Sequence, residues 1–206
     1  MKEKTLSERF LDATAFLISV AFSPYLVTVI FISIVSYLYA ANLEQFLPGI
    51  LIGLLFIVVI PLGYSFWLLE NKKIADIHLS DHQERKFPFT VGAASSVIGA
   101  VILFIFQLPT PILAVASAYA LNAVIICLIT WQWKISIHSA FFTASVLIVM
   151  LLFGSKFWSL FLFWIPLAWA RIHRRKHTAE QVLAGAVVAV LVTFVVFHFF
   201  GYQIGG

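Results

Sequence analysis

The chain has 206 residues, of which 62% are apolar and 11% charged, against about 45–50% and about 25% in an ordinary soluble domain. With a mean hydropathy of +1.03, it has too few polar groups to wet a globule, which excludes a soluble domain and a disordered chain; the single cysteine, Cys127, excludes a disulfide scaffold. The net charge of +4 is too small and too dispersed to suit nucleic acid. What remains is an integral membrane protein, read as an all-α, polytopic bundle of six to seven transmembrane helices in a single domain over residues 1–206.

The elements follow in chain order. Leu6 to Phe22 mixes Glu8, Arg9 and Asp12 with apolar residues, the pattern of an amphipathic helix lying in the interface within residues 1–22. Pro24 then opens a first span over about 24–42. The second span covers about 46–69, with Tyr64 and Trp67 as an interfacial belt near one end. Residues 87–133 are uncharged and too long for one crossing. Gln107-Leu-Pro-Thr-Pro111 divides them into two spans, because proline cannot continue a helix and biases its predecessor to extended backbone. The fifth span is expected at about 136–153, a short sixth containing Pro166 at about 156–170, and a seventh at about 179–200.

Seven crossings put the N-terminus and the loops 70–88, 132–135 and 171–178 on one side, with 12 of the 13 Lys and Arg; only Lys156 lies opposite. Short cationic loops stay in the cytoplasm, so this face is expected to be cytoplasmic, in a cell inner or plasma membrane. The same face carries His78, His82, His138, His173 and His177, whereas His198 sits near the far end of the last span as an interfacial residue.

Three loops on that face look like a composite site: 76–88, Lys134-Ile-Ser-Ile-His-Ser139, and 171–181. They are rich in Arg, Lys and His and poor in carboxylates and thiolates, which argues against a zinc or magnesium cage and for an anion. Arginine forks bind phosphate bidentately, and histidine serves as nucleophile or proton donor near neutral pH. Thr178 with Gln181 forms a capping-box pattern, so the last span should start just after His177; Ser136 can cap the fifth. His177 and His138 would then stand at helix N-termini, where backbone N–H groups favour phosphate. Basic and histidine residues at span ends also commonly serve as topology signals and headgroup contacts.

These residues resemble the type 2 phosphatidic acid phosphatases, which share a helical core with vanadium haloperoxidases. That family carries Lys-x6-Arg-Pro, Pro-Ser-Gly-His and Ser-Arg-x5-His-x3-Asp motifs. Arg171 and His177 have the third spacing, Ser136 and His138 match the second within Ile-Ser-Ile-His-Ser, and Arg85 best matches the arginine of the first. The likeness spans roughly residues 70–190. Ile135 and Ile137 stand where the second motif has Pro and Gly, Ala170 precedes Arg171, and Gln181 stands where the third motif has Asp. His78 takes the place of the first motif's Lys, and Pro88 follows Arg85 by three residues.

The resemblance implies a metal-independent, cofactor-free phosphatase acting on a lipid phosphate, by way of a phosphohistidine on His177. It implies His138 as the acid for the leaving alkoxide and Arg171, Arg85 and Ser136 as phosphate holders. Lys134, Lys86 or His82 could stand in for the missing lysine, and His78 is a further candidate binder. Gln181 can either accept the second imidazole proton of His177 or act only as the cap. The expected partners are a lipid phosphate and the surrounding membrane lipids. The rival reading is a non-catalytic carrier or a degenerate binder of lipid phosphates; the absence of charges from the interior of the spans, with only Lys156 and Glu180 at span ends, weighs against a transport path.

Overall fold

The computed structural model describes residues 5–75 and 83–203, so the candidate ligands His78 and His82 lie outside the described residues. Helix α1 runs over Leu6–Ala21, opened by a Thr5/Glu8 capping box. After a break at Phe22, Ser23 caps α2, Pro24–Tyr39, with proline in the first turn where its missing N–H costs nothing. Helix α3, Leu43–Leu54, continues through a π-turn, Leu55–Val59, into α4, Ile60–Glu70. Helices α5, Lys86–Ile105, and α6, Thr110–Thr130, form a hairpin broken where the Gln107–Pro111 segment predicts. Helix α7 covers Ile137–Phe153. A 3₁₀ segment, Ser155–Phe163, leads into α8, Trp164–His173, and α9 is Ala179–Phe199.

Among the described residues there is no strand, and five helical stretches are long and apolar enough to cross a membrane, with α7 a shorter apolar helix. The protein is a helical membrane protein. The sixth expected span is the least regular. Its 3₁₀ and α parts together rise about 33 Å, because the 3₁₀ wind climbs faster per residue, and a hydrocarbon core is about 30 Å thick.

The second span differs from the simple helix expected. Ile60 donates its N–H to Leu55 across the π-turn. The equivalent donor to the Phe56 carbonyl would be residue 61, which is proline. Ser95 of α5 supplies the missing proton, its hydroxyl lying 2.7 Å from that carbonyl. Backbone groups in lipid must be satisfied within the protein, so α5 repairs what Pro61 breaks. The distortion lies beside the candidate site, because Ile57 and Pro61 line the cavity that Arg85 and Arg171 also line.

Helices α6 and α7 form the centre, with α5 and α9 packed on α6 and α9 also on α7. Tyr119 is fully buried there, stacked on Phe141 at 5.5 Å with its hydroxyl 2.7 Å from that of Ser145. Asn122 of α6 donates to the Thr193 hydroxyl of α9 at 3.0 Å. Large apolar side chains such as Ile34, Leu51, Val101, Leu128 and Leu191 stay exposed; these are the faces lipid covers.

Candidate functional site

The third sequence segment is shaped by the way α8 ends. Arg175 takes a left-handed conformation at φ 52°. Its N–H reaches the Ile172 carbonyl at 2.8 Å, and the Lys176 N–H reaches that of Arg171 at 3.2 Å. This is the Schellman closure, here without the usual glycine. The His177 N–H also points to the Arg171 carbonyl, at 3.4 Å. The turn therefore folds residue 177 back beside residue 171, and Thr178 starts α9 at once with a complete capping box. The five-residue interval is the length this turn needs.

Gln181 performs both functions considered for it, with one atom. Its Oε1 accepts the Thr178 N–H at 3.2 Å and lies 3.1 Å from His177 Nδ1. A backbone N–H can only donate, so the atom facing it is the amide oxygen, and Nδ1 must then carry the proton. The lone pair of His177 is left on Nε2. That atom is buried with no hydrogen-bond partner among the described residues, and so is Nε of Arg171.

His177 is only 6% exposed. Burial first, then the charges of Arg85 and Arg171, hold its imidazole far below the usual range, at about 3, with the Gln181 contact opposing and Lys134 adding a little. The ring is therefore neutral at physiological pH. Arg171, 2% exposed, is pulled down to about 10 by burial and then by Arg174 and Arg85, and it keeps its charge at pH 7.

The start of α7 is locked to the start of α9. The Ser136 N–H donates to the Gln181 carbonyl at 3.1 Å, and the Ser139 hydroxyl donates to that of Val182 at 2.7 Å. Trp164, just after the 3₁₀ segment, donates its indole N–H to the Ser139 hydroxyl at 2.8 Å. A side chain at Gly185 would put its Cβ 2.5 Å from the Ser136 carbonyl oxygen; only glycine allows this approach. Ser136 is thus fully buried in the seam, with its hydroxyl capping Ser139, and the structure does not bring it to the cavity. Arg85, 2% exposed at the head of α5, donates to the Ile135 carbonyl at 3.2 Å, which ties the first segment to the second.

Beside this seam lies a cavity of about 350 Å³. Arg85, His138, Arg171 and Arg174 line it, along with Ile57, Leu62, Phe66, Phe89, Ile126 and Phe141. It is a cationic end joined to an apolar trough. His177 is close enough to Arg85 and Arg171 to feel their charges but is not in the cavity wall. Lys134 is half-buried near His177, whereas the Lys86 ammonium lies over the Trp131 ring at 5.5 Å. Among the described residues no group of three His, Cys, Asp or Glu is arranged to hold a metal.

Sequence reasoning passed over three contributors. Arg174 is one helical turn from Arg171 and was legible by its i+3 spacing. Gly185 and Ser139 carried no signal, since their roles exist only where two distant helices meet. Fold and site together define a helical membrane protein with a cationic, histidine-bearing cavity at one end of the bundle. No family model matches the chain, and the comparisons with curated proteins and with solved structures also give no match.

Proposed function

We propose that the protein is a metal-independent lipid phosphatase hydrolysing a phosphate monoester of a phospholipid or prenyl lipid. One observation carries this reading: a buried guanidinium N–H without an acceptor and a buried imidazole lone pair without a donor, at Arg171 and His177 on one turn. A phosphate satisfies both. Its oxygens take the Arg171 and Arg85 protons, and its phosphorus meets the His177 lone pair. Lys134 adds positive charge nearby.

In the first step Nε2 of His177 forms a bond to phosphorus while the bond to the lipid oxygen breaks, and His138 gives that oxygen its proton. In the second, water attacks phosphorus, His138 takes the water's proton, and the N–P bond breaks to release inorganic phosphate. The arginines stabilise charge spread over the equatorial oxygens. Gln181 holds the Nδ1 proton throughout, so the attacking nitrogen never needs to lose one. The apolar trough suits the lipid's hydrocarbon, which can enter sideways from the bilayer. The lysine and arginine distribution supports a cytoplasmic site in a cell inner or plasma membrane.

A second reading, a non-catalytic binder of lipid phosphates, is favoured by the burial of Nε2 and the absence of His177 from the cavity wall. Release of inorganic phosphate from a panel of lipid phosphates by the purified protein separates the two. The phosphatase reading expects His177→Ala to fall to background while still inserting and folding. It expects His138→Ala to lose about 10²–10⁴ in turnover, the scale of a positioned acid or base. Substantial turnover in His177→Ala overturns the mechanism.

A further inference from the structure

Helix α1 reaches the cavity with its last turn, where Ser19 and Val20 line the wall. Asp12, Phe16 and Ser19 are spaced four and three apart and so share a face. Asp12 meets His173 of α8 at 3.0 Å, and His173 is also stacked on Trp169 at 5.1 Å. One turn along α1, the ring of Phe16 lies 5.1 Å from the Arg174 guanidinium carbon. A further turn along, Ser19 lines the cavity at 3% exposure, and its hydroxyl has no partner among the described residues.

Arg171 and Arg174 thus line one cavity from the last turn of α8 and its C-cap. Among the described residues neither is paired with a carboxylate, and no carboxylate lines the cavity; Asp12, the acid on the facing side of α1, is engaged by His173. Like charges three residues apart on a helix repel, and burial strengthens that repulsion. Such a pair is kept without a counter-charge where a bound anion supplies it. A single phosphate on Arg171 and Arg85 leaves Arg174, packed against Phe16 and lining the same cavity as Ser19, for something else.

We infer that Arg174, braced by α1, is a specificity-determining residue that binds a second phosphoryl group of the ligand beside the phosphate held by Arg171 and Arg85. The ligand class is a lipid carrying two phosphoryl groups, either joined as a diphosphate or separated as a phosphodiester with a terminal monoester. The inference rests on the anion-binding part of the reading above and not on its chemistry.

The test is calorimetric titration of the full chain in detergent with inorganic pyrophosphate and with inorganic phosphate. The wild type should bind pyrophosphate roughly 10- to 100-fold more tightly, the scale of one added charge-assisted contact. Arg174→Gln should bring that ratio towards one, and Arg174→Lys should keep part of it. Phe16→Leu, which leaves every charge in place, should reduce the ratio less, and it keeps the test open if Arg174→Gln does not fold. A wild-type ratio near one, or a ratio untouched by Arg174→Gln, overturns the inference. A parallel assay of phosphate release from an alkyl diphosphate, a glycerolipid with diester plus monoester, and a plain monoester tells the two sources apart. If no lipid is hydrolysed while the Arg174-dependent preference persists, the phosphatase reading fails and the second subsite stands.

Discussion

The cavity has two flanks built on opposite principles. On the α7–α9 side, backbone meets backbone: the Ser136 N–H bonds the Gln181 carbonyl, Gly185 admits the Ser136 carbonyl, and Ser139 links Val182 to Trp164. On the α1–α8 side, side chains meet across half-exposed surface: Asp12 with His173 and Phe16 with Arg174. The first flank holds His138, His177 and Gln181, the groups that the proposed chemistry would need in fixed geometry. The second holds the group that would select among ligands. Rigid positioning suits bond making, where misplacement by about 1 Å can cost about 100-fold, whereas a side-chain clamp can adapt to what it binds.

This contrast can be broken first with pH. The folded imidazole of His177 sits at about 3, against about 6.5 when unfolded. Below about pH 6.5 the unfolded chain takes up a proton that the folded chain refuses, so stability falls as pH drops towards 3, by up to about 1.4 kcal/mol per pH unit. Above about pH 6.5 the group contributes no slope. Thermal melts in detergent should show wild type losing stability faster than His177→Gln between pH 6.5 and 4.5. Parallel curves would mean that His177 is not sealed in the seam.

Gly185→Ala should come next. Alanine gains up to about 1 kcal/mol of helix propensity, but its methyl would collide with a backbone oxygen that has no rotamer to change. Overpacking of this kind costs about 1–3 kcal/mol, so the variant should melt lower and, on the proposed phosphatase reading, lose phosphate release with it, because His177, just before the cap of α9, would move away from α7. An Ala variant as stable and active as wild type would show that the seam is loose.

The smallest effect belongs to the other flank. Asp12→Asn removes a pair whose side chains are 41% and 27% exposed, and exposed pairs contribute about 0–1 kcal/mol. Amide exchange should quicken in α1 and leave α7 and α9 protected. A melting loss matching that of Gly185→Ala would make α1 as integral as the seam and erase the contrast.

Much of the architecture was already written in the amino-acid order. Hydrophobic length, the Gln107–Pro111 interruption, Pro24 and the Ser136 and Thr178 caps are local signals, and local signals place helix ends because they act through neighbouring backbone. The Arg171–His177 interval was legible too, since a single turn spans it. Other features depended on contacts between distant segments. Pro61 lies in the second span, but only the packing of α5 shows that Ser95 repairs the break and that Ile57 and Pro61 line a cavity. Ser136 reads as a phosphate ligand in the sequence, and only the packed structure shows its N–H bonded to α9 and its side chain away from the cavity wall. The two functions weighed for Gln181 merge because one oxygen has two lone pairs and the turn brings both donors to it. The residue order determined which helices form and where they stop, through interactions a few residues long. The packed bundle decided which polar groups are used up between helices and which, at Arg171, His177 and Ser19, stay buried without a partner among the described residues, because that depends on burial and on partners between 39 and 161 residues away.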